Sequence, residues 1–291
     1  MMVREPAHAG RFYAGSRDAC LRDLEAMFSD VPVVETTGPA PVGGIVPHAG
    51  WVYSGAVAAR VFAAIAAHRQ PATFVVFGAV HRRVQPPAVV FGSGAWKTPL
   101  GEITVDDRFI ERVAANTSLI ADDPWAHEQE HSIEVQVGLI QHRFADARLV
   151  PILVRPTDQA EAIGRAVGRV AAAYESDVVF IGSSDLTHYG PRFGFTPQGA
   201  GVEGFRWAKE VNDRRIIEQI LELRAGSVVA EARTHGNACG GGAIAATIAA
   251  CQELGVTQAH LLGHTTSAEV VGDVMTNAFD GAVGYAAVLF A

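Results

Sequence analysis

The chain has 291 residues, of which 49% are hydrophobic, and this combination is long and apolar enough to bury a large core. Its net charge of −8 argues against nucleic-acid or acidic-membrane partners, because phosphate binding needs clustered lysine and arginine. Three scattered cysteines give no disulfide framework, and no apolar stretch suits a signal peptide or a membrane span, so we expect a cytoplasmic protein.

Segments with helical spacing of apolar residues alternate with short β-rich segments along the chain. The predicted helices cover 17–28, 54–68, 127–144, 157–174, 205–224 and 242–254. The predicted strands cover 42–46, 73–77, 149–154, 178–181, 259–262 and 283–290, with a loop over 32–41 and a hairpin region over 88–105. This alternation is typical of βαβ units and predicts an α/β fold. We expect one domain over 1–291, a sandwich with a central, mainly parallel or mixed sheet and helices on both faces.

Three of the predicted strands are each followed by a turn that carries a histidine. His48 follows the first strand, His81 follows the second, and Asp185 with His188 follows the fourth. Parallel strands bring their carboxyl ends to one edge of a sheet, where ligands bind. Taken singly, each residue would also fit a simpler role, as a turn histidine or, for Asp185, as a helix cap. Their recurrence at one edge favours a functional site there.

Cys239 stands directly before three glycines and the predicted helix at 242–254. A thiolate at this position is stabilised by the helix dipole and by free backbone N–H groups. The alternative role is that of a small buried apolar side chain, which suits Cys20 and Cys251 because they lie on apolar helix stripes. Imidazole and thiolate groups that meet at one sheet edge prefer transition metals, so the sequence predicts a metal site.

The segment 127–131 has the sequence H-E-Q-E-H, which matches the zinc-binding pattern H-E-x-x-H and also H-x-x-E-H. On one helix the two histidines would share a face, with a glutamate as the base. However, His127 follows Pro124 closely, in a first turn where geometry is loose, and no third ligand is marked downstream. We therefore do not expect this zinc site, although Glu130 and His131 are still expected to face a pocket.

A basic and aromatic cluster precedes the first predicted helix. His8 lies in the segment P-A-H-A-G-R-F-Y and is expected to line the mouth of a site. Arg11, Arg82 and Arg83 are candidates to bind an anionic group of a substrate. A solvated surface position is the alternative for these arginines.

Taken in order, these pieces resemble the Memo family, the Memo-like component of the AmmeMemoRadiSam system. The resemblance runs from Arg4 to Phe290, with a departure at Val80, where many members carry a small polar residue. The matching segments are 4–10 with Tyr13, 47–50 with 53–55, 78–81, 97–101, 130–134, 183–185 with His188, and 239–240.

The resemblance implies the α/β sandwich of the class III extradiol dioxygenases. It implies His48, His81 and Cys239 as metal ligands, with Asp185 and His188 beside the metal. The cysteine stands where the dioxygenases use a carboxylate, which argues against ring-cleaving activity. The resemblance also implies a radical-SAM protein and an AMMECR-like protein as partners.

The leading hypothesis is a Memo-like metalloprotein with one redox-active metal at the carboxyl edge of the sheet, acting as a dioxygenase-like oxidoreductase on an unknown substrate. Iron(II) is the expected metal, with copper or zinc as alternatives, because two imidazoles and one anionic ligand leave coordination positions open. His188 is expected to transfer protons, with His131 as the alternative proton carrier. Asp185 is expected to lie behind the ligands and fix their tautomers. The residues expected around the substrate or behind the ligands are His8, Arg11, Tyr53, Arg82 and Glu130.

Two other functions stay open at this point. A zinc-type hydrolase would activate water in the same cage and would work without oxygen. A non-catalytic module would bind a small molecule, a peptide or a phosphopeptide in the cleft, with Arg11, Arg82 and Arg83 on its acidic groups.

Overall fold

The computed structural model describes residues 2–29, 31, 39–272 and 280–291, so most of the loop predicted over 32–41 lies outside the described residues. Within these ranges the helices are α1 (Arg17–Ser29), α2 (Trp51–Ala66), α3 (Asp107–Asn116), α4 (Pro124–His127), α5 (Glu134–Arg143), α6 (Ala160–Ala172), α7 (Val202–Trp207), α8 (Asp213–Leu221), α9 (Ala225–His235), α10 (Gly241–Glu253) and α11 (Ser267–Val271). A 3-10 turn covers Pro191–Phe193, and a π-helical turn covers Ala208–Asn212. None of the helices in these ranges is both long and apolar enough to cross a membrane.

Two sheets are present in the same ranges. The strands are β1 (Val3–Arg4), β2 (Gly43–Val46), β3 (Thr73–Gly78), β4 (Ala88–Val90), β5 (Ala95–Thr98), β6 (Gly101–Thr104), β7 (Ile120–Asp122), β8 (Arg148–Val154), β9 (Val178–Ser183), β10 (His188–Tyr189), β11 (Ala259–Thr266) and β12 (Ala282–Phe290). The smaller sheet has the order β1-β5-β6, and the larger has the order β10-β12-β2-β9-β3-β8-β4-β7, with β11 paired to β12.

The centre of the larger sheet is parallel and its flanks are antiparallel. Strands β2, β9, β3 and β8 run in one direction, whereas β12 pairs antiparallel with β2 and β4 pairs antiparallel with β8. Because β2, β9 and β3 are neighbours, the turns that follow them lie side by side at one edge. The predicted α/β class with a mixed sheet is confirmed.

Helices cover both faces of this sheet. Two adjacent residues of β2 show it directly, because the space beside Gly43 is filled by Cys251 of α10 and the space beside Gly44 by Val61 of α2. Successive strand residues face opposite sides of a sheet, so α10 and α2 lie on opposite faces. Helices α1 and α5 pack with α2, and helices α6 and α9 pack with α10.

The α10 helix is rich in small residues because α6 packs directly against its backbone. A Cβ atom at Gly164 of α6 would lie 2.1 Å from the carbonyl oxygen of Ala246, and one at Gly168 would lie 2.7 Å from that of Ala250. Interiors packed this closely leave no space for an added side chain. This contact fixes α10, and with it the turn at its N-terminus, against the sheet.

Two predicted helices begin later than expected. The helix predicted over 127–144 begins at Glu134, because the chain first forms the short helix α4 and then a turn. The helix predicted over 157–174 begins at Ala160. Helices α3 and α9 have no counterpart among the predictions, and α9 in particular is rich in small residues and lacks a stripe of large apolar ones.

A buried ion pair fixes the N-terminal segment to α5. Arg4 Nη1 lies 2.8 Å from Glu134 Oε2, and both side chains are buried. Glu134 also accepts hydrogen bonds from the backbone N–H groups of Ala7 and His8 and from the Tyr13 hydroxyl. Arg4 donates to carbonyl oxygens at the end of α4 and in the turn after it. The segment that carries His8 is therefore held beside that turn.

We expect Glu134→Ala to destabilise the fold by about 3–5 kcal/mol, because the change leaves Arg4 charged, buried and without its partner. The exposed pair between Glu5 and Lys97 provides the control, since solvated pairs contribute little. Glu5→Ala should therefore barely change the free energy of unfolding. Urea denaturation of both variants measures the difference, and equal losses would contradict the role given to Glu134.

Candidate metal centre

The turns that carry the predicted site residues meet at one edge of the larger sheet. The turns after β2, β3 and β9 carry His48, His81 and Asp185 at neighbouring positions. His131 comes from the turn before α5, and Cys239 comes from the turn before α10. Asp185 joins two of these turns, because its Oδ1 accepts the His48 backbone N–H at 2.7 Å and its carbonyl oxygen accepts the Cys239 N–H at 3.2 Å.

Three histidines form a compact cluster within these turns. His48, His81 and His131 each place a ring nitrogen within 4.8 Å of a ring nitrogen of the other two. The rings of His81 and His131 stack with centroids 4.5 Å apart, and His48 meets them edge-on at 5.3 and 5.2 Å. His48 is buried, whereas the side chains of His131 and His81 are 20% and 33% exposed. The cluster is therefore open to solvent on one side.

The tautomer of His48 follows from the hydrogen bonds of Ser183. The prediction that Asp185 sets it is wrong, because the Asp185 carboxylate binds the His48 backbone N–H, while Ser183 lies against the ring. The Ser183 hydroxyl donates its single proton to the carbonyl oxygen of Ser132, 2.6 Å away, and accepts an N–H from Gln136. The same hydroxyl lies 3.1 Å from Nδ1 of His48, so Nδ1 must be the protonated nitrogen. Nε2 of His48 then presents a lone pair, 3.1 Å from Sγ of Cys239. That lone pair is available to a thiol proton or to a metal ion.

Glu130 orients His81 in a similar way. Its buried carboxylate accepts the Nδ1–H of His81 at 2.9 Å, together with the backbone N–H groups of His81 and Ser132. Nδ1 of His131 lies 3.4 Å from the same oxygen. A carboxylate behind an imidazole fixes the ring and leaves Nε2 for a metal. Glu130 therefore holds His81 in the orientation of a ligand.

The pKa values of the three histidines shift in different directions. Burial, followed by the neighbouring His81, lowers the pKa of His48 to about 3, and burial followed by His48 lowers the pKa of His131 to about 3. Burial also acts to lower the pKa of His81, but its hydrogen bond to Glu130 and the Glu130 charge outweigh burial and raise that pKa. His48 and His131 are thus neutral and able to bind a cation, while a cation at His81 competes with a proton.

Cys239 sits close to the end of β9 because a glycine follows it. A Cβ atom at Gly240 would lie 2.6 Å from the carbonyl oxygen of Ser183, and the Gly240 N–H donates to the Ser184 hydroxyl at 2.9 Å. Burial, followed by the charge of Asp185, raises the pKa of the Cys239 thiol above its usual range. The sulfur therefore carries a proton here unless a bound cation replaces that proton.

Asp185 and His188 form a polar pair beside the cluster. His188 Nε2 lies 4.0 Å from Asp185 Oδ2 and has no hydrogen-bond partner among the described residues. Burial raises the pKa of Asp185 to about 6 despite the hydrogen bond from His48, and burial lowers the pKa of His188. The two pKa values therefore shift towards each other, which favours proton exchange between the two groups.

A cleft of about 410 Å³ opens beside the cluster and is large enough for a small molecule. The polar side chains of its wall include all three residues predicted to act on a substrate, together with one arginine at the rim. Aromatic side chains supply much of the remaining wall. The residues concerned are His131, Asp185, His188, Arg192, Phe12, Tyr53, Phe193 and Tyr285.

The other predicted residues lie in three different places. His8 packs edge-on against His131, with ring centroids 5.5 Å apart, so it lies behind the cluster. Tyr53 is 41% exposed on the first turn of α2 and lines the cleft. Arg11 and Arg82 are exposed side chains on the turns that follow His8 and His81.

His127 is separated from the site. Its side chain is fully buried and meets the rings of Phe91 and Trp96 edge-on, at centroid distances of 6.2 and 5.7 Å. Helix α4 ends at His127 and α5 begins at Glu134, so His127 and His131 do not share a helix face. The H-E-x-x-H match is therefore a coincidence of sequence, as expected.

Sequence patterns do not identify several residues that shape the site. Ser183 and Gln136 set the His48 tautomer, while Phe193 and Tyr285 form cleft walls. For Ser183 one signal exists, because it carries a hydroxyl at the last position of β9, which pairs with the strand before His48. Phe193 and Tyr285 come from distant segments, and nothing in their local sequence marks them, whereas Phe12 belongs to the aromatic cluster before the first predicted helix.

Comparison with known proteins gives a consistent result. The family model described as Memo-like protein matches residues 4–289. A MEMO1 family protein of Thermococcus onnurineus is 37% identical over 296 residues, which cover 99% of both chains. MEMO1 family proteins of Pyrobaculum aerophilum and Caldivirga maquilingensis are 35% and 33% identical, and each match covers 100% of this chain and 99% of the relative. The similarity thus includes both the cluster and the cleft.

We expect Glu130→Gln to lower the pKa of His81, because the charge that opposes the effect of burial is removed. In the wild-type chain the raised pKa means that protonated His81 stabilises the fold fully below about pH 6.5, its unfolded value. That contribution is lost as the pH rises through the folded pKa, and it should disappear in the variant. NMR titration of the His81 ring signals in metal-free protein measures the shift. Glu128→Gln, at an exposed neighbour, is the control, and an unchanged His81 pKa in Glu130→Gln would contradict the assignment.

Proposed function

Because the chain belongs to the Memo-like protein family, we propose that it is a metalloprotein with one redox-active metal ion, iron(II), at the carboxyl edge of its sheet. We propose that it acts as a dioxygenase-like oxidoreductase on a small molecule bound in the adjoining cleft. The observation that carries this proposal is the convergence of His48, His81 and His131 within 4.8 Å, with Cys239 in contact with His48.

The donor atoms fit a transition metal. His48 and His81 both have Nδ1 occupied by a hydrogen-bond partner, so both have Nε2 free. Imidazole nitrogen suits iron, copper and zinc, and a thiolate adds one negative charge to the site. Glu130 behind His81 supports the ligand orientation that such sites require.

We assign His48, His81 and Cys239 as the ligands, with His131 on the cleft side. His131 lines the cleft together with Asp185 and His188, so its ring is placed to meet a bound molecule. Cys239 contacts Nε2 of His48, the nitrogen that the Ser183 hydrogen bonds leave free. A set of two imidazoles and one thiolate leaves further coordination positions open for a substrate.

Bound iron(II) would supply electrons for the reduction of oxygen. The protein's own residues then have separate tasks. His188 lines the cleft, and its buried, unpartnered Nε2 lies 4.0 Å from Asp185 Oδ2, so that a proton on the imidazole can pass to the carboxylate. The aromatic walls exclude water from the bound molecule, and Arg192 at the rim attracts an anionic group.

Metal analysis of anaerobically purified variants tests the ligand assignment. We expect Cys239→Ala to lower iron affinity by more than about 100-fold, because the loss of a direct ligand exceeds the 10–100-fold effect of an outer partner. His131→Ala should retain the metal. Mass spectrometry of bound metals, with competition by a chelator, gives both affinities.

Cys251→Ala provides the matched control, because it removes a thiol that is fully buried in α10, outside the cluster. It should leave the metal content unchanged. Full retention of iron by Cys239→Ala would defeat the assignment, and loss of iron in His131→Ala would replace it with the set of three histidines.

A zinc-type hydrolase is the second candidate, and the three-histidine cluster favours it. Three imidazoles with one open position are a known arrangement of catalytic zinc, where the metal activates water. Such an enzyme needs no oxygen, whereas the oxidoreductase proposed above does.

Two assays with defined probes separate the candidates. With ascorbate as the electron donor, we expect the iron-loaded chain to take up oxygen and Cys239→Ala to lose this uptake. With 4-nitrophenyl acetate under anaerobic conditions, we expect the zinc-loaded chain to hydrolyse the ester no faster than the metal-free chain. Fast anaerobic hydrolysis without oxygen uptake would reverse the ranking.

A further inference from the structure

The turn that carries Asp185 and His188 is held from behind by two consecutive buried residues. Asp213 Oδ1 accepts the backbone N–H of Thr187 at 3.0 Å, and the Asn212 side-chain amide donates to the Thr187 hydroxyl at 3.1 Å. Asn212 and Asp213 are 0% and 1% exposed. One helical segment therefore holds both the backbone N–H and the side-chain hydroxyl of Thr187.

The backbone around Thr187 is fixed from its other side by β12. The Leu186 N–H donates to the carbonyl oxygen of Gly284 at 2.8 Å, and the Gly284 N–H donates to the carbonyl oxygen of Thr187 at 3.0 Å. Position 284 must be glycine, because a Cβ atom there would lie 2.1 Å from Asp213 Oδ2. The Asp213 carboxylate therefore lies against the backbone of β12 at Gly284 while it binds the Thr187 N–H.

The helical segment that presents these two residues is irregular at that point. A π-helical turn covers Ala208–Asn212 and ends where α8 begins at Asp213. Turns of this kind are rare, and they occur mostly as single turns at functional sites. Its last residue, Asn212, reaches the site through Thr187, which lies between Asp185 and His188.

Two further contacts extend the network. Asp213 Oδ2 lies 2.9 Å from Nε2 of His264 on β11, and both side chains are buried. The side chain of Asn237, two residues before Cys239, donates to the carbonyl oxygen of Asn212 at 3.0 Å. One helical turn is therefore bonded to the turns that carry His188 and Cys239.

We propose that Asn212 and Asp213 are positioning residues, which clamp Thr187 and thereby hold the His188 imidazole towards the cleft. This inference rests on the proposed function for the role of His188, and it adds two residues outside the cluster and the cleft. Both residues act on the site through the turn they hold, since their side chains bond to Thr187.

Two substitutions at position 213 separate positioning from loss of packing. Asp213→Ala removes the acceptor for the Thr187 N–H and the partner of His264. Asp213→Asn keeps an oxygen for Thr187, and its N–H₂ group can donate to Nε2 of a neutral His264. We expect the alanine variant to release the turn and the asparagine variant to hold it.

Hydrogen exchange in metal-free protein gives the first measurement. We expect Asp213→Ala to speed exchange about tenfold in a peptide that covers 185–190, because the Thr187 amide loses its acceptor. Peptides from β3 and β8 should exchange as in the wild type, and Asp213→Asn should resemble the wild type throughout. Unchanged exchange over 185–190, or equal acceleration in β3 and β8, would overturn the clamp.

A double-mutant cycle gives a second measurement. It distinguishes positioning of His188 from a general structural role, because only positioning makes the losses of the two variants non-additive. The probe is azide binding to cobalt(II)-loaded protein, followed by the visible spectrum. We expect His188→Ala and Asp213→Ala each to weaken azide binding about tenfold, as for one lost hydrogen bond to an anion. The double variant should be no weaker than either single variant, because Asp213 acts through His188.

The outcomes distinguish this inference from the proposed function. Multiplied losses in the double variant would show that Asp213 acts on the whole fold and would overturn the inference. Failure of the wild type to bind cobalt(II) would instead count against the metal site, and the exchange experiment would still decide the clamp.

Discussion

The hydroxyl proton of Ser183 goes to the carbonyl oxygen of Ser132, and His48 must therefore donate from Nδ1 to the same hydroxyl. This order of donors leaves the Nε2 lone pair of His48 directed at Cys239. If the proton went the other way, Nε2 would carry hydrogen and could bind no cation. The serine occupies the last position of β9, in register with the last residue of β2, so the parallel pairing of two strands determines the chemistry of the centre.

The charge balance of the site favours a cation. His48 and His131 are neutral because burial lowers the pKa of both. Burial acts to raise the pKa of Glu130, but its hydrogen bond to His81 and the His81 charge outweigh burial and lower that pKa below its usual range. The thiol of Cys239 keeps its proton because burial and the nearby carboxylate of Asp185 raise its pKa. A divalent ion that displaces that proton would bring positive charge to a place where the protein supplies negative charge and lone pairs.

The sequence predicted the parts of the site that follow from strand ends. His48 and His81 each follow an apolar segment of a parallel sheet, and the topology alone brings them to one edge. The place of His131 could not be predicted in the same way, because the predicted helix over 127–144 begins only at Glu134. The cause is local, since Pro124 starts a separate short helix. Tyr53 is a predicted residue of the cleft wall, but Phe193 and Tyr285 reach that wall through long-range packing, which no local pattern records.

Two kinds of task meet in the single turn that follows β9. Ser183 at its start sets the tautomer of His48, Asp185 binds the backbones of two other turns, and His188 at its end faces the cleft. With the ligands proposed above, a shift of this turn would change metal affinity and cleft chemistry together. This explains why the buried carboxylate of Asp213 is directed at its backbone rather than at the histidine cluster or the cleft. The site depends on the position of one turn, which the Asn212–Asp213 segment and strand β12 both hold by hydrogen bonds.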